Sequence, residues 1–193
     1  MSYSHLGGDS RDSFPELEPF FQMIESFMGF LPNSLLTMSK NPDLVKAFQT
    51  LAGVVFSSKH LKPDLIQLIA LASSLSSGCK YCQAHTSHGA GKAGVSEEKI
   101  NEILKYQESN YFDESEKAAL DLAFASGFTP NQVEKKHFEE LQKYFSKEAI
   151  IDIVSVISLF GWLNRWNDTF GTVLEDVPKE FVEQKLFPLG WNN

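Results

Sequence analysis

Residues 65–91 read LIQLIALASSLSSGCKYCQAHTSHGAG, and this stretch decides the fold and carries the most reactive side chains of the chain. Its first part, Leu65 to Leu75, is apolar almost all round, which is typical of a helix buried on every side. Gly78 is suited to ending that helix, and this places Cys79 near the start of a second one. The stretch therefore predicts two consecutive helices with a pair of cysteines at their junction.

The rest of the chain also shows helical rather than strand-like patterns. We find no clean two-residue hairpin signal between alternating apolar segments. Three further helix starts are indicated by capping residues. They are Asp113 with Glu116, Ser96 with Glu97 and Glu98, and Thr129-Pro130-Asn131-Gln132. The predicted fold class is all-α.

A second apolar segment, Ala149 to Leu163, resembles the first and is also expected to be a buried helix. The two segments match at a fixed offset of 84 positions, where Ile66 corresponds to Ile150 and Leu75 to Leu159. This offset suggests an internal two-fold duplication whose equivalent helices meet in the core. Buried helices also resemble one another by composition alone, so both possibilities stay open.

The composition fits one globular domain. The chain has 193 residues, of which 42% are hydrophobic and 16 are Phe, enough to build a full core. Residues 1–13 are polar and rich in turn-forming residues, so we expect a flexible lead-in. A single helical domain is predicted over residues 14–193.

The charge balance bears on partners and location. Lys and Arg total 17 against 25 Asp and Glu, a net charge of −8 that repels nucleic acids and anionic membrane surfaces. The first residues lack the apolar core of a signal peptide. The segment Ala149–Leu163 includes Asp152 and is short for a membrane span. We expect a cytoplasmic protein with no nucleic-acid or membrane partner.

The two cysteines, Cys79 and Cys82, indicate redox chemistry. At a spacing of three residues they cannot link distant parts of the fold, but they are near enough to form a disulfide with each other. Amide groups at a helix start favour a thiolate, so the site is expected to lower a cysteine pKa. His85 lies one turn beyond Cys82 and is placed to accept its proton.

The glycine-rich end of this helix carries a packing signal. Four small residues follow, at Gly89, Ala90, Gly91 and Ala93. Glycine is a poor helix former, and both glycine and alanine leave little side chain on the helix surface. They predict either a neighbour that packs very close or a loose segment.

Zinc binding and chemical inertness are the alternatives to redox chemistry at the cysteine pair. Zinc would need Cys79, Cys82, His85 and His88, but each step of three residues rotates the side chain by about 300°, so His88 points away from Cys79. One ion cannot collect all four ligands from one helix, although a site shared between subunits stays open. The alternative without chemistry is a pair of buried, inert cysteines.

Three segments together resemble the carboxymuconolactone decarboxylase and alkylhydroperoxidase D-like (AhpD-like) superfamily, within its peroxidase-related branch. They are residues 29–33 (GFLPN), 78–86 (GCKYCQAHT) and 163–168 (LNRWND). The resemblance implies an AhpD-like helical bundle, self-association into a homo-oligomer, and reduction of a small-molecule hydroperoxide at the expense of a dithiol or protein electron donor. We assign no cofactor and no metal to the site.

Transferred to this sequence, the resemblance makes Cys82 the attacking thiolate, Cys79 the resolving cysteine and His85 part of a proton relay. Two positions depart from the family pattern. The family histidine usually stands four residues after the second cysteine, where this chain has Thr86. The glutamate expected twelve residues before the first cysteine is Gln67, which can orient a proton carrier but cannot carry a proton itself.

These observations predict a thiol-dependent peroxidase with catalytic residues Cys82, Cys79, His85 and Gln67. The alternatives are a non-enzymatic redox-sensing or partner-binding module, and a decarboxylase-type relative, whose chemistry has no need of a cysteine pair. The polar cluster from Asn164 to Asp168 is either a lining of the redox pocket or a buried hydrogen-bond network.

Overall fold

The computed structural model describes residues 3–186, and these residues are organised almost entirely as helices. Within them the α-helices are α1 (Glu18–Met28), α2 (Asn33–Met38), α3 (Pro42–Phe56), α4 (Pro63–Ser77), α5 (Lys80–Lys92), α6 (Glu97–Asn101), α7 (Glu114–Gly127), α8 (Lys135–Leu141), α9 (Lys147–Phe170) and α10 (Asp176–Lys185). Short 3₁₀ helices cover Arg11–Ser13, Pro15–Leu17 and Ile103–Lys105. Residues 3–186 contain no β-strand, and the prediction of an all-α fold is confirmed.

The main core is built around α4, which packs against α5, α7 and α9. Leu68, Ile69, Ala70 and Ala72 of α4 have no exposed surface, so this helix is buried as its all-round apolar sequence predicted. A smaller apolar cluster, which includes Phe21, Leu35 and Met38, joins α1, α2 and the start of α3.

Helix α9 differs from the expectation that it is buried on all sides. One face lies in the core, where Ile153 and Val156 are inaccessible, but Ile151 is 65% and Val154 38% exposed. By length and composition alone α9 could also span a membrane. In its most apolar stretch of 18 residues, 44% of the residues are buried inside the protein. It packs here against α3, α4, α5 and α7, as a core helix does. The contact between α4 and α9 agrees with the predicted meeting of the two matched helices, and their common origin stays a prediction.

Two of the three predicted capping signals are confirmed. Asp113 and Glu116 form a reciprocal capping box at the start of α7, and Ser96 accepts a hydrogen bond from the Lys99 amide at the start of α6. These bonds satisfy amide groups that the first helical turn leaves without intrahelical partners.

The third capping signal, at Thr129 to Gln132, is wrong. The Gln132 amide donates to the Ala125 carbonyl at the end of α7, and the Asn131 side chain accepts from the Val133 amide. These bonds fold the segment back as a loop, and α8 begins only at Lys135.

The first described residues contact the end of α9. The His5 amide donates to the Phe170 carbonyl over 2.7 Å, and the Val173 amide donates to the Tyr3 carbonyl over 2.9 Å. These residues belong to the segment predicted as a flexible lead-in, and their contacts help to position the segment between α9 and α10.

Candidate active site

The cysteine pair lies where the sequence predicted, at the junction of α4 and α5. Gly78 ends α4 in a left-handed conformation (φ 81°), which a glycine adopts without steric penalty. Cys79 is the N-cap of α5, and its Sγ accepts a hydrogen bond from the Cys82 amide over 3.3 Å. The backbone therefore holds the two cysteines one helical turn apart.

Both cysteines are buried and free. Cys79 is 0% and Cys82 2% exposed, and no disulfide joins them. The hydrogen bond with the Cys82 side chain, followed by burial, raises the pKa of Cys79 well above its ordinary value. The expected effect of the helix-start amides is therefore outweighed at Cys79, which keeps its proton at neutral pH.

A cavity of about 610 Å³ lies beside Cys82. Its wall is mainly apolar and includes Phe20, Ile24, Phe56, Ile66, Phe160 and Leu163. Cys82 contributes to this wall and Cys79 does not. A small apolar molecule in the cavity would therefore meet Cys82, with Cys79 behind it.

The sulfur of Cys82 has a polar neighbour from α9. Asn167 Nδ2 lies 3.4 Å from Cys82 Sγ and donates to the Leu163 carbonyl over 2.9 Å. Asn167 is 2% exposed, so this amide is held in place inside the protein. An N–H directed at the sulfur stabilises a thiolate there.

The 164–168 cluster thus combines both roles that the sequence left open. Asn167 borders the cavity, whereas Asn164 Nδ2 donates to the Ser73 carbonyl over 3.4 Å and links α9 to the end of α4.

His85 also borders the cavity, and its partner is a residue that the sequence did not indicate. His85 Nε2 lies 2.6 Å from Glu175 Oε2, and the two side chains are only 11% and 10% exposed. His85 stacks on Tyr81 at a ring distance of 4.2 Å and meets the edge of Phe30 at 5.1 Å. The imidazole is therefore fixed in orientation by one ion pair and two aromatic contacts.

Glu175 is anchored by neighbours on two other helices. Its Oε1 accepts a hydrogen bond from the Tyr81 hydroxyl over 2.7 Å and another from the Asn33 amide. Burial opposes ionisation of Glu175, but the charge of His85 and these hydrogen bonds outweigh it, and the pKa of Glu175 lies below its ordinary value. Burial, reinforced by Glu175, raises the pKa of Tyr81, so Tyr81 remains a hydrogen-bond donor.

An ionised Glu175 also sets the tautomer of His85. Because a carboxylate only accepts hydrogen bonds, His85 Nε2 must carry the proton and donate it to Glu175. The other ring nitrogen, Nδ1, has no hydrogen-bond partner within residues 3–186. It is the nitrogen that remains for exchanging a proton with a molecule in the cavity.

The structure does not place Gln67 in that relay. Gln67 borders the cavity from α4, and its side chain packs against Gly89 of α5. A Cβ at position 89 would stand 2.5 Å from Gln67 Oε1, and one at Gly91 would stand 3.1 Å from Phe181. The small residues of α5 therefore serve close packing, one of the two possibilities that the sequence predicted.

The candidate site thus unites three of the four residues predicted to be catalytic around Cys82, and adds Asn167 and Glu175. Glu175 follows Cys82 by 93 positions and has no motif around it, so no sequence signal marked it. In residues 3–186 no cluster of three His, Cys, Asp or Glu side chains is arranged to hold a metal ion.

The structure therefore combines an all-helical bundle with a buried dithiol and a histidine–carboxylate pair, and the pair lies beside an apolar cavity. Residues 42–125 match the model of the carboxymuconolactone decarboxylase family. The chain is similar to the debrominase Bmp8. Its apo structure is 40% identical with a TM-score of 0.86, covering 92% of this chain and 95% of Bmp8. A cysteine-to-alanine variant of Bmp8 in complex with 2,3,4-tribromopyrrole is 38% identical with a TM-score of 0.87, covering 95% of this chain and 97% of Bmp8.

Two further proteins are similar to this chain. An uncharacterised peroxidase-related protein with an AhpD core from Ralstonia eutropha JMP134 shares the fold, with a TM-score of 0.81 and 21% identity over 92% of this chain and 95% of that protein. The uncharacterised protein YdfG of Bacillus subtilis (strain 168) is 29% identical over 103 residues, which are 52% of this chain and 67% of YdfG. Residues 42–125 therefore resemble the carboxymuconolactone decarboxylase family, and the chain has the fold of the AhpD core.

Proposed function

We propose that this protein is a dithiol-dependent oxidoreductase in which Cys82 attacks an electrophilic atom of a small apolar substrate and Cys79 resolves the product. The observation that carries the proposal is the position of Cys82. Cys82 borders an apolar cavity, its sulfur receives an N–H from Asn167, and its amide donates to the Cys79 sulfur. The protonated state of Cys79 suits a resolving thiol, which must not compete with Cys82 for the substrate.

The reaction is balanced by the two thiols. The Cys82 thiolate takes an electrophilic atom X from a substrate R–X, and the leaving R⁻ takes up a proton to give R–H. The Cys79 sulfur then attacks the Cys82–X bond, a disulfide forms, and X leaves as HX. The substrate gains two electrons and the cysteine pair loses two, which an external dithiol or protein donor returns.

His85 is the proton donor that this scheme requires. It borders the cavity, and Glu175 holds its ring in place through Nε2. His85 and Cys82 share no direct hydrogen bond in the described residues, so the proton passes through the substrate or a bound water.

A halogenated aromatic is the substrate that we favour, with X a bromine atom. The cavity is lined mainly by aromatic and aliphatic side chains, which suit a small halogenated ring. The similarity to the debrominase Bmp8 extends over 95% of this chain and supports the same class of substrate.

Hydroperoxide reduction is the second candidate, with X a hydroxyl group and water as the product. It uses the same cysteine pair and the same proton donor, and it is the activity that the resemblance to the AhpD type predicts. A non-enzymatic sensor would not need an apolar cavity beside its cysteine. A decarboxylase would leave the buried dithiol without a role.

We also propose that the protein works as a homo-oligomer in the cytoplasm. Helices α3 and α9 are in contact, and each leaves apolar side chains exposed, among them Leu51 and Val54 on α3 and Ile151 and Trp162 on α9. Exposed apolar side chains of this kind are costly to leave in water, and a second copy of this chain would cover them. The redox state of the cytoplasm would keep the cysteine pair reduced between turnovers.

The test uses the reduced, full-length protein with a brominated pyrrole and, separately, with cumene hydroperoxide. We expect one bromide or one alcohol for every two thiols lost, and both thiols should return on addition of dithiothreitol. A larger rate with the brominated pyrrole supports the dehalogenase, and a larger rate with the hydroperoxide supports the peroxidase. If both substrates and both thiols persist, the proposal is wrong.

A further inference from the structure

Apart from exposed Gln49, two polar side chains that border the cavity, Gln67 and His88, form no hydrogen bond within residues 3–186, and His88 packs instead against the rings of Phe30 and Phe181. The remaining polar side chains are held by neighbours. Tyr81 and His85 bind Glu175, Thr86 Oγ1 donates to the Cys82 carbonyl over 2.7 Å, and Lys92 Nζ donates to the Phe27 carbonyl over 2.7 Å. Gln67 makes no hydrogen bond to any residue in the range 3–186.

The carboxamide of Gln67 packs against Gly89 of α5. A Cβ at position 89 would stand 2.5 Å from its Oε1, so the glycine makes room for the amide. Water that enters the cavity can solvate this group. An apolar ligand that displaces the water must supply a hydrogen bond of its own, because an amide left unpaired in an apolar site lowers affinity.

The position of Gln67 relative to Cys82 fits the size of a small substituted ring. Seven residues separate Cys82 from Gly89 on α5, a distance of about 10 Å along the helix axis. A ring that touches Cys82 Sγ through one halogen would present its opposite edge near Gln67.

We propose that Gln67 determines substrate specificity by accepting a hydrogen bond from the ring N–H of a halogenated aromatic whose halogen reaches Cys82. This inference rests on the proposed function and adds the side chain that recognises the substrate. Halogens make a ring N–H more acidic and hence a better donor. A carboxamide can also donate to the deprotonated ring, which a glutamate at this position would repel.

The test measures binding separately from turnover. The parent for all titrations is the full-length Cys82→Ala variant, which cannot react. We would titrate it by calorimetry with 2,3,4-tribromopyrrole and with its N-methyl analogue, which lacks the donor. The same titrations are repeated after adding Gln67→Met, which keeps the side-chain length and removes the amide. Gln142→Met, an exposed glutamine just after α8, is the matched control.

We expect Gln67→Met to weaken binding of 2,3,4-tribromopyrrole by about tenfold, the effect of one hydrogen bond. The N-methyl analogue should bind the parent and Gln67→Met equally, and Gln142→Met should bind like the parent. Equal affinities of the parent and Gln67→Met for 2,3,4-tribromopyrrole would overturn the inference, as would an equal loss for both ligands.

A parent that binds neither ligand would also overturn it. Turnover of the protein with Cys82 intact, assayed with the hydroperoxide, then shows separately whether the dithiol mechanism stands.

Discussion

Replacing Glu175 with glutamine tests the acid–base part of the site directly. The substitution keeps the side-chain size and allows a carbonyl oxygen to go on accepting from Tyr81 and the Asn33 amide. It removes the negative charge, and its NH₂ group then faces His85 Nε2. Because two donors cannot pair, we expect His85 to shift its proton to Nδ1, and the nitrogen left for the cavity would no longer be a base.

The expected losses follow from the geometry. The His85–Glu175 bond is short, at 2.6 Å, and the two side chains are 11% and 10% exposed, so solvent screens it little. A charge-assisted hydrogen bond of this kind contributes about 1.5–3 kcal/mol, and we expect the variant to lose about that much free energy of unfolding. A correctly held general acid or base contributes about 100-fold or more to a rate, and we expect turnover to fall by about 100-fold.

The effect on stability should depend on pH in a defined direction. The pKa of Glu175 in the folded protein lies below the ordinary value of 4.5, so its stabilisation is fully present above pH 4.5. It is lost as the pH falls through the lower, folded-state pKa. The difference in unfolding free energy between the natural protein and Glu175→Gln should therefore be constant near neutral pH and should shrink below pH 4.5.

The assay pairs urea unfolding at several pH values with turnover of the brominated pyrrole and the hydroperoxide. Glu180→Gln, an exposed position on α10, is the matched control and should leave both quantities unchanged. A Glu175→Gln protein that is as stable and as active as the natural one would refute the role assigned to the pair.

Three further predictions concern the two cysteines, Gln67 and the oligomeric state. Cys79→Ser should react once with hydroperoxide and accumulate a trappable Cys82 sulfenic acid, whereas Cys82→Ser should react no faster than free cysteine; the reverse pattern would make Cys79 the nucleophile. The family resemblance predicts that Gln67→Glu raises peroxidase activity. Because Glu175 already pairs with His85, we expect instead no gain in steady-state turnover. A clear gain would show that proton transfer runs through position 67. Sedimentation should show an oligomer at micromolar concentration that Ile151→Lys dissociates, and a monomeric natural protein would contradict this.

The local features of the site were predictable from the sequence because they depend on neighbours in the chain. The end of α4 at Gly78 and the start of α5 at Cys79 follow from residue types at fixed spacing, and the structure confirms both. The capping box of Asp113 and Glu116 is confirmed for the same reason.

Features that depend on distant contacts were not predictable. The signal at Thr129 is a sound capping pattern, but hydrogen bonds to the end of α7 override it. The apolar residues of α9 predicted complete burial, and a pattern of apolar residues alone cannot distinguish the core from a surface that another chain covers. Glu175 could not be found from spacing because the fold, and not the sequence, brings it to His85.

The position of Glu175 depends on a segment that several parts of the protein hold in place. Asn33 Nδ2 donates to the Val173 carbonyl over 2.9 Å, and the Val173 amide donates to Tyr3. The His85–Glu175 pair therefore depends on the docking of the segment between α9 and α10.

The residues of the candidate site lie partly inside and partly outside the region that matches the family model, and this limits what related proteins must share. The region that matches the family model, residues 42–125, contains Gln67, both cysteines and His85. Asn167, which contacts the Cys82 sulfur, and Glu175, which holds His85, both lie outside it. Relatives that align only over this region can therefore share the dithiol and yet differ in proton transfer and in the shape of the cavity. The similarity to Bmp8 extends over 95% of this chain, well beyond this region, and it therefore weighs more in the substrate that we propose than the family match does.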